Sequence, residues 1–162
     1  HGLEDTARDQ LFAQPVVGYF KPEILLTGPG QSSKHLIDFS TCSSKSLEFC
    51  EFPFSWKIVR TELMHGYACW FDVKFFGSGA VVSLTTSPRA PGTHWYQSRL
   101  LFHKPLAVNA GQVVSGTMTM KANAHSSFAV TLKCTIDGTP IVAESVIDLH
   151  DQHYEYLAKA YE

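Results

Sequence analysis

Hydrophobic and polar residues alternate with a period of two over much of the chain, which is typical of strands that bury one face. The clearest example spans residues 128–136. Its apolar stripe consists of Phe128, Val130, Leu132, Cys134 and Ile136. Residues 52–56 and 112–122 alternate in the same way. The pattern predicts an all-β domain of about eight or nine mostly antiparallel strands, folded as a β-barrel or a β-sandwich.

Glycine- and proline-rich turns divide these strands. The segments Gly77–Gly79 and Asp137–Gly138 predict hairpins. Residues 36–40 alternate and predict a further strand. Pro105 is predicted to end the strand that precedes it, because proline has no N–H to donate to a ladder.

The two ends of the chain depart from the strand pattern. Residues 3–13 predict a short helix, which needs a surface to pack on because short helices are marginal alone. Residues 150–162 are polar and aromatic, and predict a tail that is helical or loosely attached. We therefore divide the chain into an N-terminal arm with its lead-in (1–17), a β-domain (18–149) and the tail.

Composition supports one globular domain and excludes several classes of protein. The chain has 162 residues, of which 44% are hydrophobic and 17% charged. This is unlike a disordered tail and is enough for a real core. Its 13 basic and 15 acidic residues give a net charge of −2, so we expect no nucleic-acid partner. No apolar run is long enough to span a membrane, and we expect no membrane partner.

Cysteine and histidine spacing gives no metal site. The four cysteines are Cys42, Cys50, Cys69 and Cys134. None forms a C-x-x-C pair, so we interpret them mostly as buried thiols of a reducing compartment. His150 and His153 have a workable ligand spacing but no evident third ligand, and we expect no metal. Cys69 lies close to His65 in the sequence, as a nucleophile and its base would. Because Cys69 belongs to an apolar strand, however, we interpret it as a buried thiol that packs in the core.

One segment stands out as a candidate site. Thr93, His94, Trp95, Tyr96 and Gln97 follow a loop, residues 87–92, that contains two prolines. An imidazole and an indole at the start of a strand are well placed to line a cleft. An indole face attracts a guanidinium or ammonium group. From the residues alone, the alternative is that Trp95 belongs to the core.

Several segments together resemble the C-terminal half of protein arginine methyltransferases, most of all the coactivator-associated, histone-modifying type. The resemblance covers essentially the whole chain. The segments are HGLEDTARDQLFAQPVVGYF, MHGYACWFDVKFFGSG, LTTSPRAPGTHWYQSRLLFHKPLAVNAGQVVSGTMTM and IDLHDQHYEY. The most specific pieces are THWYQ preceded by LTTSP, and His65-Gly66 followed by CWFDV.

The resemblance implies a substrate-binding β-barrel and a helical arm that forms a head-to-tail homodimer. In the family, the arm docks on the methyl-donor domain of the partner. Residues 2–14 match the arm in position but look several residues shorter. Its apolar residues Leu3, Leu11 and Phe12 would then make the dimer contacts.

The resemblance also implies substrate contacts. His94 and Trp95 would position the guanidinium of an arginine in a protein or peptide substrate, such as a histone tail, and brace the acidic loop of the other domain. Tyr154 and Tyr156 match positions near the substrate, although the order Tyr-Glu-Tyr differs in detail.

The methyl-donor machinery of the family is missing from this sequence. Neither its glycine-rich motif nor its paired glutamates occur here. S-adenosylmethionine is therefore expected as a cofactor of the intact enzyme only, and this fragment should be inactive alone. The parent would transfer a methyl group from the sulfonium to a guanidino nitrogen, in the nucleus and cytoplasm. Because the chain opens at His1, we interpret it as a piece of a longer protein.

Two other interpretations stay open at this point. The chain could be a stand-alone β-sandwich module that binds a peptide or a glycan. It could also be an inactive regulatory partner that dimerises with a complete enzyme through residues 2–14.

Overall fold

The computed structural model describes residues 12–151 together with the backbone of residues 153 and 154. All of the predicted helix over residues 3–13 except its last two residues lies outside the described residues. So do Leu3, Leu11 and Tyr156.

The described residues form ten strands and two short 3-10 helices. The strands are β1 (Val16–Gly18), β2 (Phe49–Lys57), β3 (Glu62–Cys69), β4 (Asp72–Phe76), β5 (Val81–Thr85), β6 (Gln97–Val108), β7 (Val113–Ala122), β8 (Phe128–Ile136), β9 (Val142–Asp148) and β10 (His153–Tyr154). The 3-10 helices are Pro22–Ile24 and Ser44–Leu47. The described part of the chain has no helix long and apolar enough to cross a membrane.

The strands form two four-stranded sheets and a separate hairpin. The first sheet has the order β10-β1-β6-β3, the second has the order β2-β7-β8-β9, and β4 pairs only with β5. All pairs are antiparallel except β1 with β10. The mostly antiparallel all-β prediction is confirmed, but a closed barrel is wrong. Both edges of β6 are already taken by β1 and β3, and no edge strand of one sheet pairs with the other within the described residues.

One core lies between the two sheets. Aromatic rings from the second sheet, Phe54 and Trp56, meet Tyr67 and Phe102 from the first. The Phe54 and Tyr67 ring centroids are 5.1 Å apart in an edge-to-face contact, a favourable geometry for aromatic pairs. The alternating stripe of β8 faces this core, and its residues from Val130 to Ile136 are almost fully buried.

The predicted hairpins are confirmed. Gly77–Gly79 lies between the paired strands β4 and β5. Asp137–Gly138 lies in the connection between β8 and β9, with Gly138 at a φ of 76°.

The prediction that Pro105 ends a strand is wrong. Strand β6 continues to Val108, but its pairing with β3 is irregular at this point. Met64 pairs with Leu106, whereas Gly66 pairs with Leu101. Residues 102–105 therefore bulge opposite His65, where a proline costs no ladder hydrogen bond.

The same irregularity changes which side chains face the core. Met64 and Tyr67 are both buried, although residues three apart on a regular strand point to opposite faces. Gly66 lies between them at a φ of 153°. A Cβ there would lie 2.0 Å from the Leu100 carbonyl oxygen, so the close approach of β3 and β6 requires glycine.

The strand predicted over residues 36–40 is also wrong. This segment is a loop in which Leu36 and Phe39 are 89% and 78% exposed. Ser40 donates to Asp38 Oδ1 from its backbone N at 2.9 Å and from its Oγ at 2.6 Å. These bonds hold the pKa of Asp38 below its usual value. A side chain that bonds its own backbone in this way favours a turn over a strand.

The tail adds one short strand to the first sheet. His153 pairs with Val16 and Tyr154 pairs with Val17, in parallel. At these two residues the structure shows a strand, so the prediction of a helical or loosely attached tail is wrong there.

Gly66→Ala should lower the free energy of unfolding by about 2 kcal/mol or more, because the new Cβ meets backbone in a strained conformation. Urea denaturation measures the change. Gly79→Ala is the matched control, since a Cβ there has no atom within 4 Å. Equal stability of the two variants would show that the β3–β6 approach tolerates a side chain.

Candidate functional site

The segment from Thr93 to Gln97 forms a short turn that leads into β6. The Tyr19 hydroxyl donates a hydrogen bond to the Thr93 carbonyl oxygen, and its ring lies edge-to-face against Tyr96, with centroids 4.7 Å apart. The Trp95 backbone N donates to Thr93 Oγ1 at 3.3 Å. Tyr96 adopts a φ of 51°, which is uncommon for a non-glycine residue. Strained backbone of this kind persists only where surrounding contacts hold it, and Tyr19 supplies them.

A buried hydrogen-bond network fixes the start of β6 to the base of the hairpin. Gln97 is 4% exposed, and its Nε2 donates to the Thr86 carbonyl oxygen at 2.9 Å. The Thr86 hydroxyl donates to the Phe71 carbonyl at 2.9 Å, and the Phe71 N donates to the Thr86 hydroxyl at 3.0 Å. The turn that carries His94 and Trp95 therefore rests on a rigid base.

His94 and Trp95 both lie at the surface. Trp95 is 58% exposed, and its ring contacts Phe71 edge-to-face at a centroid distance of 6.3 Å. The alternative that Trp95 belongs to the core is therefore wrong. An exposed indole on a braced turn has a free face for a cation.

The fold brings the tail strand to the same end of the first sheet. Val17 pairs with Ser98 on one side and with Tyr154 on the other. The backbone of Tyr154 thus lies two strands from the start of β6. Tyr156, the other predicted substrate contact in the tail, lies outside the described residues.

An exposed apolar hairpin adjoins this turn, and sequence reasoning missed its exposure. Phe75 pairs with Val82 and Phe76 pairs with Val81, and all four side chains are exposed. Phe76 is 80% exposed. The sequence signal was the density of apolar residues around Gly77–Gly79. That density does not show that β4 and β5 pair with no third strand in the part of the chain that the structure describes.

A solvent-open cavity of about 250 Å³ lies beside the base of the hairpin. We call it the basic cavity because Lys34 and Arg89 line it against a single carboxylate, Asp72. The loop carrying Leu25, Thr27, Gly28 and Ser32 forms one wall, and Trp70, Thr85 and Ser87 form the other. No sequence signal predicted it, because its two cations are far apart in the chain.

The cysteine and histidine residues considered as nucleophile, base or metal ligands do not form a site within the described residues. Cys69 packs against the core, and burial raises the pKa of its thiol to about 12. His65 lies exposed at the bulge. All four cysteines are free thiols. Within the described residues, no group of three or more potential metal ligands occurs.

Cys69 should resist alkylation in the folded protein at pH 8. With its pKa near 12 instead of 9.0, its thiolate fraction is about a thousandfold lower than in the unfolded chain. Reaction with iodoacetamide, mapped by mass spectrometry with and without urea, tests this. Equally fast modification in both conditions would restore Cys69 as a candidate nucleophile.

Residues 3–137 match the family model "Arginine methyltransferase oligomerization subdomain". The chain is 37% identical over 161 residues to proteins named histone-arginine methyltransferase CARMER from Drosophila persimilis and Drosophila virilis. These alignments cover 96% of the chain but only 30% and 29% of the relatives, so the chain spans less than a third of their length.

Two solved structures share the fold. Arabidopsis thaliana protein arginine methyltransferase 10, described in a uniquely open conformation, matches with a TM-score of 0.78 at 20% identity. That match covers 91% of this chain and 46% of the other. The Trypanosoma brucei PRMT1 enzyme–prozyme heterotetrameric complex with AdoHcy matches with a TM-score of 0.72 at 23% identity, over 85% of this chain and 44% of the other.

Proposed function

The chain belongs to the protein arginine methyltransferase family, in which it corresponds to the oligomerization subdomain, and we propose that it binds substrate and mediates dimerisation in an S-adenosylmethionine-dependent enzyme. The substrate would be an arginine in a protein or peptide, such as a histone tail. One observation carries this proposal: His94 and Trp95 lie exposed on a turn braced by Tyr19.

His94 and Trp95 would act by positioning. The Trp95 indole would lie against the planar guanidinium, and the His94 imidazole would brace the carboxylates that grip the same group from another domain. Holding the acceptor in one orientation lowers the barrier mainly through entropy and prearranged charge. Tyr154 and Tyr156 would extend the substrate surface from the tail strand.

The described residues of this chain do not fit S-adenosylmethionine. Lys34 and Arg89 line the basic cavity and would repel its sulfonium. The turn Gly77–Gly79 joins two strands and precedes no helix, unlike a nucleotide-binding turn. The cofactor therefore belongs to another domain of the intact enzyme, and the chain by itself would be inactive.

Dimerisation would run through residues 2–14 and their apolar side chains Leu3, Leu11 and Phe12. The described end of this segment is anchored to the β-domain. The Phe12 ring lies 5.3 Å from the His103 ring, and the Asp148 N donates to the Ala13 carbonyl at 2.9 Å. From this fixed point, residues 2–11 would dock on a second subunit. We propose a homodimer that acts in the nucleus and the cytoplasm.

A second candidate is an inactive regulatory partner of a complete enzyme. The enzyme–prozyme complex of the Trypanosoma brucei structure favours it, since that assembly pairs an enzyme with a prozyme. The coding sequence upstream of the His1 codon separates the two candidates. A glycine-rich strand–turn–helix followed by two glutamates supports the enzyme, and their absence supports the regulatory partner.

His94→Gln and Trp95→Phe in the full-length enzyme should each lower kcat/KM for peptide methylation by about 10–100-fold, because each removes a contact to the acceptor or its carboxylates. The melting temperature should change little, since both side chains are exposed. Phe102→Leu, in the core, is the control that should lower the melting temperature instead. Retained methylation in both site variants would remove these residues from the site.

Deleting residues 3–12 from the full-length enzyme should produce monomers, because the proposed dimer contacts are lost together. Activity should fall with dimerisation. Sedimentation velocity measures the mass. A matched deletion of residues 155–162 from the tail should leave the dimer intact. A dimer that survives loss of residues 3–12 would place the interface elsewhere.

A further inference from the structure

The basic cavity carries an excess of positive charge that the described residues leave unpaired. Neither Lys34 nor Arg89 forms an ion pair with any residue that the structure describes. Asp72, the single carboxylate of the cavity, accepts a hydrogen bond from the Thr85 hydroxyl. The lining therefore has two cations for one anion, and that anion is already engaged.

The walls of the cavity are fixed by hydrogen bonds. On the loop side, Arg60 donates to the Leu25 carbonyl at 2.9 Å, and the Gly28 N donates to Gln31 Oε1 at 3.0 Å. On the other side, the Arg89 N donates to Ser87 Oγ at 3.3 Å. These bonds fix the backbone of the lining, from which the exposed side chains of Lys34 and Arg89 extend.

The basic cavity and the Trp95 indole flank the same stretch of chain. Ser87 and Arg89 belong to the loop that leads into the turn carrying Trp95. Trp70 lines the cavity, and the next residue, Phe71, contacts the Trp95 ring. A polypeptide that crosses this loop meets both surfaces.

We propose that the basic cavity binds the carboxylate side chain of an acidic residue near the target arginine of the substrate polypeptide. This inference rests on the proposed function for the identity of that polypeptide. A guanidinium fork matches a carboxylate in a bidentate geometry, and Lys34 adds a second charge. Asp72 also lines the cavity, and its negative charge repels a phosphate dianion more strongly than a singly charged carboxylate.

The test is an NMR titration of the full-length enzyme, ¹⁵N-labelled at glycine and tryptophan, with two hexapeptides that differ only in Glu against Gln beside one arginine. The Glu peptide should shift the Gly28 and Gly30 amide signals and the Trp70 indole signal saturably. The Gln peptide should bind about tenfold more weakly, because it lacks the charge-assisted bonds. Equal affinity of the two peptides would overturn the proposal.

Charge variants locate the effect. Arg89→Gln and Lys34→Gln should each weaken binding of the Glu peptide by about fivefold or more. Lys57→Gln is the matched control, since Lys57 is an exposed cation on β2 outside the cavity, and it should leave the affinity unchanged. Loss of affinity in the control as well would show a nonspecific charge effect and overturn the site. A peptide with phosphoserine in place of Glu should bind no more tightly, and tighter binding would overturn the choice of carboxylate.

A further peptide separates this proposal from the proposed function. It keeps Glu but replaces arginine with alanine. The signals of Gly28, Gly30 and Trp70 should still respond, whereas the Trp95 indole signal should respond only to peptides that contain arginine. If the Trp95 signal responds equally to peptides with and without arginine, the proposed function is contradicted, and the result for the basic cavity is not affected. If the signals of Gly28, Gly30 and Trp70 respond to neither of the two peptides that contain Glu, the proposal for the basic cavity is contradicted and the proposed function is not affected.

Discussion

The buried hydrogen bond from Gln97 to the Thr86 carbonyl joins the strand that follows the candidate site to the base of the neighbouring hairpin. Gln97 begins β6, the strand that also pairs with β1 and β3, while Thr86 closes the base of the hairpin on Phe71. A buried amide that donates to a backbone carbonyl holds both elements in one geometry. The Trp95 turn and Thr85, which lines the basic cavity, lie directly beside this junction.

The core was predictable because burial on one face imposes a period of two on the sequence. The stripe of β8 followed that rule from Val130 to Ile136 without interruption. The rule failed where another interaction outweighed it. Around Asp38, side-chain hydrogen bonds to Ser40 made a turn out of an alternating segment. Pro105 was expected to end its strand because a regular ladder requires an N–H at each paired residue. The bulge in β6 takes residue 105 out of the regular ladder, so no N–H is required there.

The candidate site was only partly predictable, for a different reason. His94 and Trp95 could be proposed from the sequence because they are adjacent and follow a loop stiffened by prolines. Whether the indole faced solvent or the core depended on contacts with Tyr19 and Phe71, which lie far away in sequence. The sequence gives no sign of the basic cavity, since Lys34 and Arg89 are 55 positions apart and line the same cavity only in the folded chain.

The isolation of the hairpin has a consequence for the behaviour of the chain outside its assembly. Among the described residues, strands β4 and β5 pair only with each other, so each leaves a row of backbone donors and acceptors open there. The outer strand β2 carries Pro53, which interrupts such a row, but the hairpin contains no proline. Its exposed Phe76 and Val81 combine high strand propensity with low charge. Unless another surface covers it, the hairpin is a template for strand addition between molecules, and aggregation of the chain would start there.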